Sequence, residues 1–253
     1  MGLIWVTARQ QRSALPAALV VIAAYVTSLV ADESAADAVR RYGVDPSQVG
    51  ILVVLSLGVF WAAPLLARDQ QTGTVELVYT QSISRARWLT ARITPPLLAA
   101  VVAPLVVLGL RAFVVPGFRS GYSRGIFGDA PTIVGIELFA VALGLLAGAV
   151  LRRIVPAMVV TALGFYAAES LVVPTAQKLI PMHKTSIDPS RLGSQVGMDR
   201  MPSRVPGHPQ VYEYYTNAQL WGLQWLQLGL CVAVAAVLVA GAYYWMARRV
   251  PRS

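Results

Sequence analysis

The sequence predicts an all-α membrane protein with six transmembrane helices. Of its 253 residues, 56% are hydrophobic and only 13% are charged, whereas a soluble globular domain carries about 25% charged residues. Six apolar stretches approach the roughly 20 residues that a helix needs to cross a bilayer. Only a helix satisfies its own backbone hydrogen bonds in hydrocarbon. We therefore expect residues 1–253 to form one transmembrane domain.

The predicted spans differ in length and in the loops that join them. The first is the shortest, and the last is long enough to tilt or to extend beyond the bilayer. Only Arg152 and Arg153 separate the fourth span from the fifth, which predicts a tight hairpin. The six spans are residues 14–30, 49–67, 95–115, 131–151, 154–173 and 220–247.

Arginine is unevenly distributed between two sets of span ends, and this distribution predicts the orientation. Cytoplasmic loops of membrane proteins retain an excess of Lys and Arg. We therefore expect a multi-pass protein of the plasma membrane with both termini in the cytoplasm. The same rule accounts for the net charge of +9, so nucleic acid is not an expected partner. The richer set of ends holds Arg9, Arg12, Arg68, Arg85, Arg87, Arg92, Arg152, Arg153, Arg248, Arg249 and Arg252.

Two regions outside the spans are expected to have structure of their own. Residues 3–12 are expected to form an amphipathic helix on the cytoplasmic surface. This helix carries Trp5, Arg9 and Arg12. The extracellular loop between the fifth and sixth spans, residues 174–219, is rich in proline and too long for a plain turn. It is expected to form a small outer cap or a partly re-entrant structure.

A polar, arginine-rich segment, residues 68–92, lies between the second and third spans. Gly73 is expected to end the helix that continues from the second span, and Thr74 can cap a short new helix. Ser82 or Ser84 can then start a helix that leads to the membrane, where Pro95-Pro96 is expected to bend it. The alternative is a solvated loop whose arginines only maintain topology.

The same segment resembles the membrane subunit of type-2 ATP-binding-cassette (ABC) exporters, in particular small six-span permeases common in high-GC Gram-positive bacteria. Members have an acidic or amide cluster, then Gly-Thr, a short apolar helix, a Ser-centred turn and a basic helix. The N-terminal helix with Trp5 is similar to their interface helix. Two departures leave the subfamily open: Asp69 stands where a longer Glu is common, and Gln81 where relatives often have Pro. The matching residues are Asp69-Gln70-Gln71, Gly73-Thr74, residues 75–79, Gln81, Ile83, Ser84 and residues 85–92.

The resemblance implies that residues 74–80 form a cytoplasmic coupling helix that contacts an ABC ATPase. The chain has only two lysines, Lys178 and Lys184, and no Gly-Lys pair, so it lacks a P-loop. It is therefore not expected to be an enzyme; a separate ATPase subunit would bind ATP and Mg²⁺. The expected ATPase-contact residues are Gly73, Thr74, Val75, Glu76, Leu77, Val78, Tyr79 and Thr80.

The resemblance further implies a second permease copy or a paralogue, and export of a hydrophobic or amphipathic substrate such as a drug, antibiotic, lipid or peptide. The alternative is a polytopic membrane protein without transport activity: an intramembrane enzyme, a sensor or an assembly factor. An enzyme of that kind would need a cluster of catalytic residues within the spans. Neither His183 nor His208 lies in a predicted span.

Two carboxylates, Glu137 and Glu169, fall inside predicted spans. A charged carboxylate at the centre of a membrane helix costs about 2.5–3.5 kcal/mol on insertion scales, so such residues usually face the bundle or a cavity. Both are candidates for the transport path. The alternative is polar packing, with Arg111 or loop residues as partners.

Aromatic and small residues supply the remaining candidates. Phe60, Trp61, Phe165 and Tyr166 can line a path for apolar substrates between the second and fifth spans, or can be ordinary core and lipid-facing aromatics. The Gly144-x-x-x-Gly148 pattern favours close helix packing, within the subunit rather than in a dimer. The single cysteine, Cys231, lies in a span, and the His and Met residues of the long loop lack metal-site spacing, so no metal is expected.

Overall fold

The computed structural model describes residues 55–73, 84–114, 130–179, 183–185, 196–200 and 212–248. The first predicted span and the N-terminal interface helix, with Trp5, Arg9 and Arg12, lie outside these residues. A π-helical segment, Leu57–Ala62, leads into α1 (Ala63–Gln71). Four more helices follow: α2 (Arg85–Val114), α3 (Ala130–Leu151), α4 (Ile154–Leu179) and α5 (Asn217–Arg248). Three strands precede α5: β1 (His183–Thr185), β2 (Val196–Arg200) and β3 (Tyr212–Thr216).

The described chain is mostly helical and contains helices that can cross a membrane. Three are long and apolar enough to do so: Arg85–Val106 in α2, Pro131–Leu151 in α3 and Ala218–Arg248 in α5. A shorter apolar helix, Ile154–Ala168, belongs to α4. The predicted hairpin between the fourth and fifth spans is present, because α3 ends at Leu151 and α4 begins at Ile154.

One helix is longer than the sequence predicted, because it continues through proline. The predicted fifth span ended before Pro174, whereas α4 continues to Leu179. Helix α2 begins at Arg85, directly after one of the two serines predicted to start it, and continues through Pro95, Pro96 and Pro104. Proline removes one backbone donor, but membrane helices tolerate it because neighbouring groups satisfy the freed carbonyls.

Helix α3 lies at the centre of the bundle, where it packs against the π-helical segment and against α1, α2, α4 and α5. Its Val141 and Leu145 are fully buried in the main apolar core. Ala140 belongs to a second cluster together with Val59 and Phe165. Every other described helix therefore depends on α3 for part of its buried surface.

Glycine lets α3 approach the π-helical segment and α1 at backbone distance. A Cβ atom at Gly58 would lie 2.6 Å from the Ala140 carbonyl oxygen. Cβ atoms at Gly144 and Gly148 would clash with the carbonyl oxygens of Gly58 and Ala63, respectively. The prediction that Gly144 and Gly148 mediate packing within the subunit is confirmed.

Helix α5 runs parallel to α3 along its length. The Thr132 hydroxyl donates to Gln227 Oε1 at 3.1 Å, and Gly135 faces the backbone of Leu228. Nearer the other end, Gly241 meets the side chain of Leu146. The offset between paired positions stays nearly constant, which two helices maintain only when they run in the same direction.

The connection between α4 and α5 contains a small antiparallel sheet with strand order β1-β3-β2. Tyr215 of β3 is buried, and β2 and β3 both pack against α5. At the junction, Gln219 Oε1 accepts the Thr216 backbone N–H at 3.0 Å, and Thr216 Oγ1 accepts the Gln219 N–H at 3.4 Å. This reciprocal pair is a capping box, which fixes where α5 begins.

The packing at Gly144 leads to a stability prediction. Gly144→Ala is expected to lower the unfolding temperature of the purified protein in detergent, because the new methyl group must displace the backbone of Gly58. Overpacking of this kind costs about 1–3 kcal/mol. Gly229→Ala in α5 is the matched control, since no described atom lies within 4 Å of its Cβ position. Equal unfolding temperatures for the two variants would contradict the assigned packing.

Candidate functional site

Seven arginines gather at one end of the bundle, termed here the Arg-rich end, whereas Arg111 lies near the other end of α2. Helices α1, α3 and α5 finish at this end, whereas α2 and α4 begin there, so arginines distant in sequence become neighbours in space. This arrangement agrees with the predicted alternation of arginine-rich span ends. The Arg-rich end is defined by Arg68, Arg85, Arg87, Arg92, Arg152, Arg153 and Arg248.

An ion pair at the Arg-rich end joins α1 to α2. Arg92 Nε donates to Asp69 Oδ2 at 2.7 Å, and Arg92 Nη2 donates to Asp69 Oδ1 at 2.6 Å. The side chains are only 12% and 8% exposed, for Arg92 and Asp69 respectively. Two parallel charge-assisted bonds fix orientation as well as distance. The pair therefore holds the end of α1 in a defined geometry against the first turns of α2.

The next residue, Gln70, joins α1 to α3. Its side-chain amide nitrogen donates to the carbonyl oxygens of Gly148 and Ala149, at 3.2 and 3.0 Å. The last carbonyls of a helix have no partner within the helix. Gln70 thus satisfies two acceptors in the final turn of α3.

The chain leaves α1 and enters α2 through defined helix ends. The Thr72 N–H and hydroxyl both donate to the Arg68 carbonyl oxygen at 3.0 Å. Gly73 follows with φ of 67°, the left-handed conformation that commonly terminates a helix. The prediction that Gly73 ends this helix is confirmed. Of the two serines predicted to start the next helix, Ser84 precedes α2, and its carbonyl oxygen accepts the Trp88 N–H at 3.1 Å.

The predicted coupling residues Thr74 to Thr80 lie outside the described residues. Their attachment points are described, because Gly73 and Ser84 border the intervening segment, residues 74–83. Both attachment points belong to the Arg-rich end.

The first turns of α2 are packed against α1 and α5. Trp88 and Leu89 are buried in the main core, which also contains Leu66 and Met246. Thr90 Oγ1 and the Tyr243 hydroxyl oxygen of α5 lie 2.7 Å apart in a hydrogen bond. The start of α2 is thus held by apolar packing and a hydrogen bond in addition to the ion pair.

Of the two predicted intramembrane carboxylates, Glu137 lies deep in the bundle. It is 2% exposed, and its Oε1 atom has no hydrogen-bond partner among the described residues. It precedes Val141 by one helical turn and Leu145 by two, and so lies on the same face of α3 as these core residues. Glu169, the other predicted carboxylate, lies on α4. Arg111, the arginine named above as a possible polar partner, lies on α2.

The four predicted path aromatics have different environments. Phe165 is 2% exposed in the cluster with Val59 and Ala140, and its ring centroid is 5.9 Å from that of Tyr166. Phe60 and Tyr166 are 66% and 47% exposed. Trp61 is half-buried in the π-helical segment, and its Nε1 has no hydrogen-bond partner within the described part of the chain. Phe165 thus packs in the core, whereas Phe60 and Tyr166 lie on the surface.

Over the residues that the structure covers, His, Cys, Asp and Glu form no group of three or more that could hold a metal ion. Cys231, in α5, is a free thiol.

Long apolar helices, parallel packing through glycine and arginines gathered at one end define a multi-pass helical membrane protein. Residues 31–177 match the family model described as "ABC-2 membrane transporter related". The chain belongs to this family. Comparison with curated proteins and with solved structures found no match. Membership implies a transmembrane subunit of an ABC transporter that works with an ABC ATPase subunit.

The ion pair leads to a test by double-mutant cycle. Asp69→Asn or Arg92→Gln alone is expected to destabilise the protein strongly, because each removes charge-assisted hydrogen bonds between two largely buried side chains. Such losses are about 3–5 kcal/mol for fully buried pairs. The double variant should lose less stability than the sum of the two single variants, as measured by denaturant unfolding in detergent. Arg87→Gln, at an exposed arginine, is the control and should be near neutral. Additive single effects would show that the two side chains do not interact.

Proposed function

We propose that this chain is the transmembrane subunit of an ATP-driven exporter in the plasma membrane, with both termini and the Arg-rich end in the cytoplasm. Its substrate would be hydrophobic or amphipathic, such as a drug, antibiotic, lipid or peptide. Family membership supports the transporter assignment. The gathering of arginine at one end supports the orientation, because cytoplasmic loops retain positive charge.

The energy of ATP hydrolysis would be transmitted to this chain through the segment between α1 and α2. In the proposal, residues 74–80 form the coupling helix that an ABC ATPase grips, and the ATPase binds the ATP and Mg²⁺ that this chain has no P-loop to hold. One observation carries this assignment: the residues that border the segment, Gly73 and Ser84, both lie at the Arg-rich end, where the Asp69–Arg92 pair joins α1 to α2. A tightly held base allows a force on the segment to reach the helices.

The working unit would contain two copies of this chain, or one copy and a paralogue, above two ATPase subunits. Closure of the ATPases on ATP would push on residues 74–80 and on the interface helix with Trp5, Arg9 and Arg12. The central path would then switch from inward-facing to outward-facing. Alternating exposure of this kind needs bistable helix packing rather than a continuously deformable bundle.

Glu137 is the described residue best suited to the transport path. Its buried Oε1 atom has no hydrogen-bond partner among the described residues, and the free-energy cost of such an atom motivates a role for Glu137 in the transport cycle. Trp61 is half-buried and belongs to the π-helical segment, which also contains Gly58. π-Helical turns are frequent at functional sites. Phe60, Tyr166, Phe165 and Glu169 are the further candidates, with Phe165 contributing through packing.

A change within the coupling segment tests the energy input. Val78→Pro or Glu76→Arg should reduce co-purification of the ATPase, or lower transport-coupled ATP hydrolysis at least tenfold, because each disrupts the helix or its charge. Gln71→Ala, at an exposed position just before the segment, is the control and should behave as wild type. Membrane insertion and unfolding temperature should be unchanged in all three.

Wild-type complex stability and coupling in both segment variants would contradict the coupling assignment. Purification of the wild-type chain without any ATPase subunit would contradict the transporter function itself. The remaining candidate would then be a polytopic membrane protein without transport activity, acting as an enzyme, sensor or assembly factor.

The role of Glu137 is tested by the isosteric change Glu137→Gln. If the carboxylate lines the path, the variant should insert and bind the ATPase normally, but should alter which compounds in a panel of amphipathic molecules stimulate ATP hydrolysis in proteoliposomes. Thr161→Val, at a buried hydroxyl that bonds within its own helix to the Ala157 carbonyl oxygen, is the control. An unchanged stimulation profile would assign Glu137 to packing.

A further inference from the structure

Two consecutive side chains of α1 bind two different helices. Asp69 pairs with Arg92 in α2, and Gln70 bonds to Gly148 and Ala149 in α3. These three polar residues, Asp69, Gln70 and Arg92, are termed here the clamp. Through them α1, α2 and α3 are joined at one level of the Arg-rich end.

The clamp is well protected from water. The Asp69 and Arg92 side chains are 8% and 12% exposed, so their attraction is screened less than that of a surface pair. Gln70 bonds to carbonyls of the last turn of α3, where the partial negative charge of the helix end favours a donor. Separating α1 from either neighbour would leave buried polar groups without partners, which is costly.

We propose that Asp69, Gln70 and Arg92 are positioning residues that make the base of the 74–83 segment and the end of α3 move as one body. The inference rests on the proposed function of residues 74–80 as the ATPase contact. It adds the route that the movement takes: into the central helix α3, and not only into the hairpin formed by α1 and α2.

The position of α3 determines which parts of the bundle a movement along this route would reach. The helix packs against all the other described helices, and at Gly144 and Gly148 its backbone is in direct contact with the backbone of the π-helical segment and α1. Glu137 lies on the same helix, about 17 Å along the axis from Gly148 at a rise of 1.5 Å per residue. Displacement of the clamped end therefore displaces the helix that carries the buried carboxyl group.

The test uses hydrogen–deuterium exchange on the full complex with its ATPase, with and without ATP and vanadate. Wild type should show nucleotide-dependent changes in deuterium uptake both at residues 74–83 and at residues 148–153. Asp69→Asn and Gln70→Ala should retain the change at 74–83 and lose it at 148–153. The charge-retaining Asp69→Glu should preserve both changes.

Arg87→Gln and Gln71→Ala are the matched controls, because both residues are exposed and lie on the same helices as the clamp residues, α2 and α1 respectively. Both should respond as wild type. If Asp69→Asn does not yield a folded complex, the Gln70→Ala variant alone tests the proposal, since this substitution removes no charge.

The clamp is overturned if residues 148–153 still respond in a folded Asp69→Asn or Gln70→Ala complex, or if the two controls lose that response as well. Either result would leave the proposed ATPase contact intact. If residues 74–83 of the wild-type complex do not respond to nucleotide at all, the proposed function fails, and the clamp inference falls with it.

Discussion

Backbone contact between α3 and the π-helical segment with α1 is the constraint on which the rest of the described structure depends. At Gly58, Gly144 and Gly148 the backbones of these helical segments meet with no room for a side chain. Inside a membrane, apolar surface gains little from helix association, so close van der Waals contact of this kind supplies much of the attraction. Once α3 is held here, its remaining faces are free to bury the apolar sides of α2, α4 and α5.

Polar interactions hold the helices together at the Arg-rich end, where apolar packing alone does little to fix their relative positions. The Asp69–Arg92 pair and the Gln70 amide use directional bonds, which fix the relative positions of helices that apolar contacts would allow to slide. The thermodynamic value of such buried pairs is often small, and their better-attested role is to select one arrangement among several. This role suits the proposed transmission of movement through the Arg-rich end.

Much of this arrangement could be predicted from the sequence, for identifiable reasons. Apolar runs of sufficient length predicted the helices, the short Arg152–Arg153 link predicted the hairpin, and Gly73 predicted the end of α1. The helix boundary at Pro174 was predicted less well, because tolerance of proline depends on surroundings rather than on local propensity. The capping box at Thr216 and Gln219 has a sequence signature that could have been found. The partners of Asp69 and Gln70 could not, since contacts between α1 and residues on α2 and α3 arise only from tertiary packing.

We propose that ATP hydrolysis acts on this chain through residues 74–80. The most direct measurement places a photo-activated cross-linking amino acid at Leu77 and, separately, at Leu105, an exposed apolar position farther along α2. Irradiation of intact cells is expected to link the Leu77 variant to an ABC ATPase subunit and to leave the Leu105 variant unlinked to it. No ATPase adduct at Leu77, or equal adducts at both positions, would contradict the account.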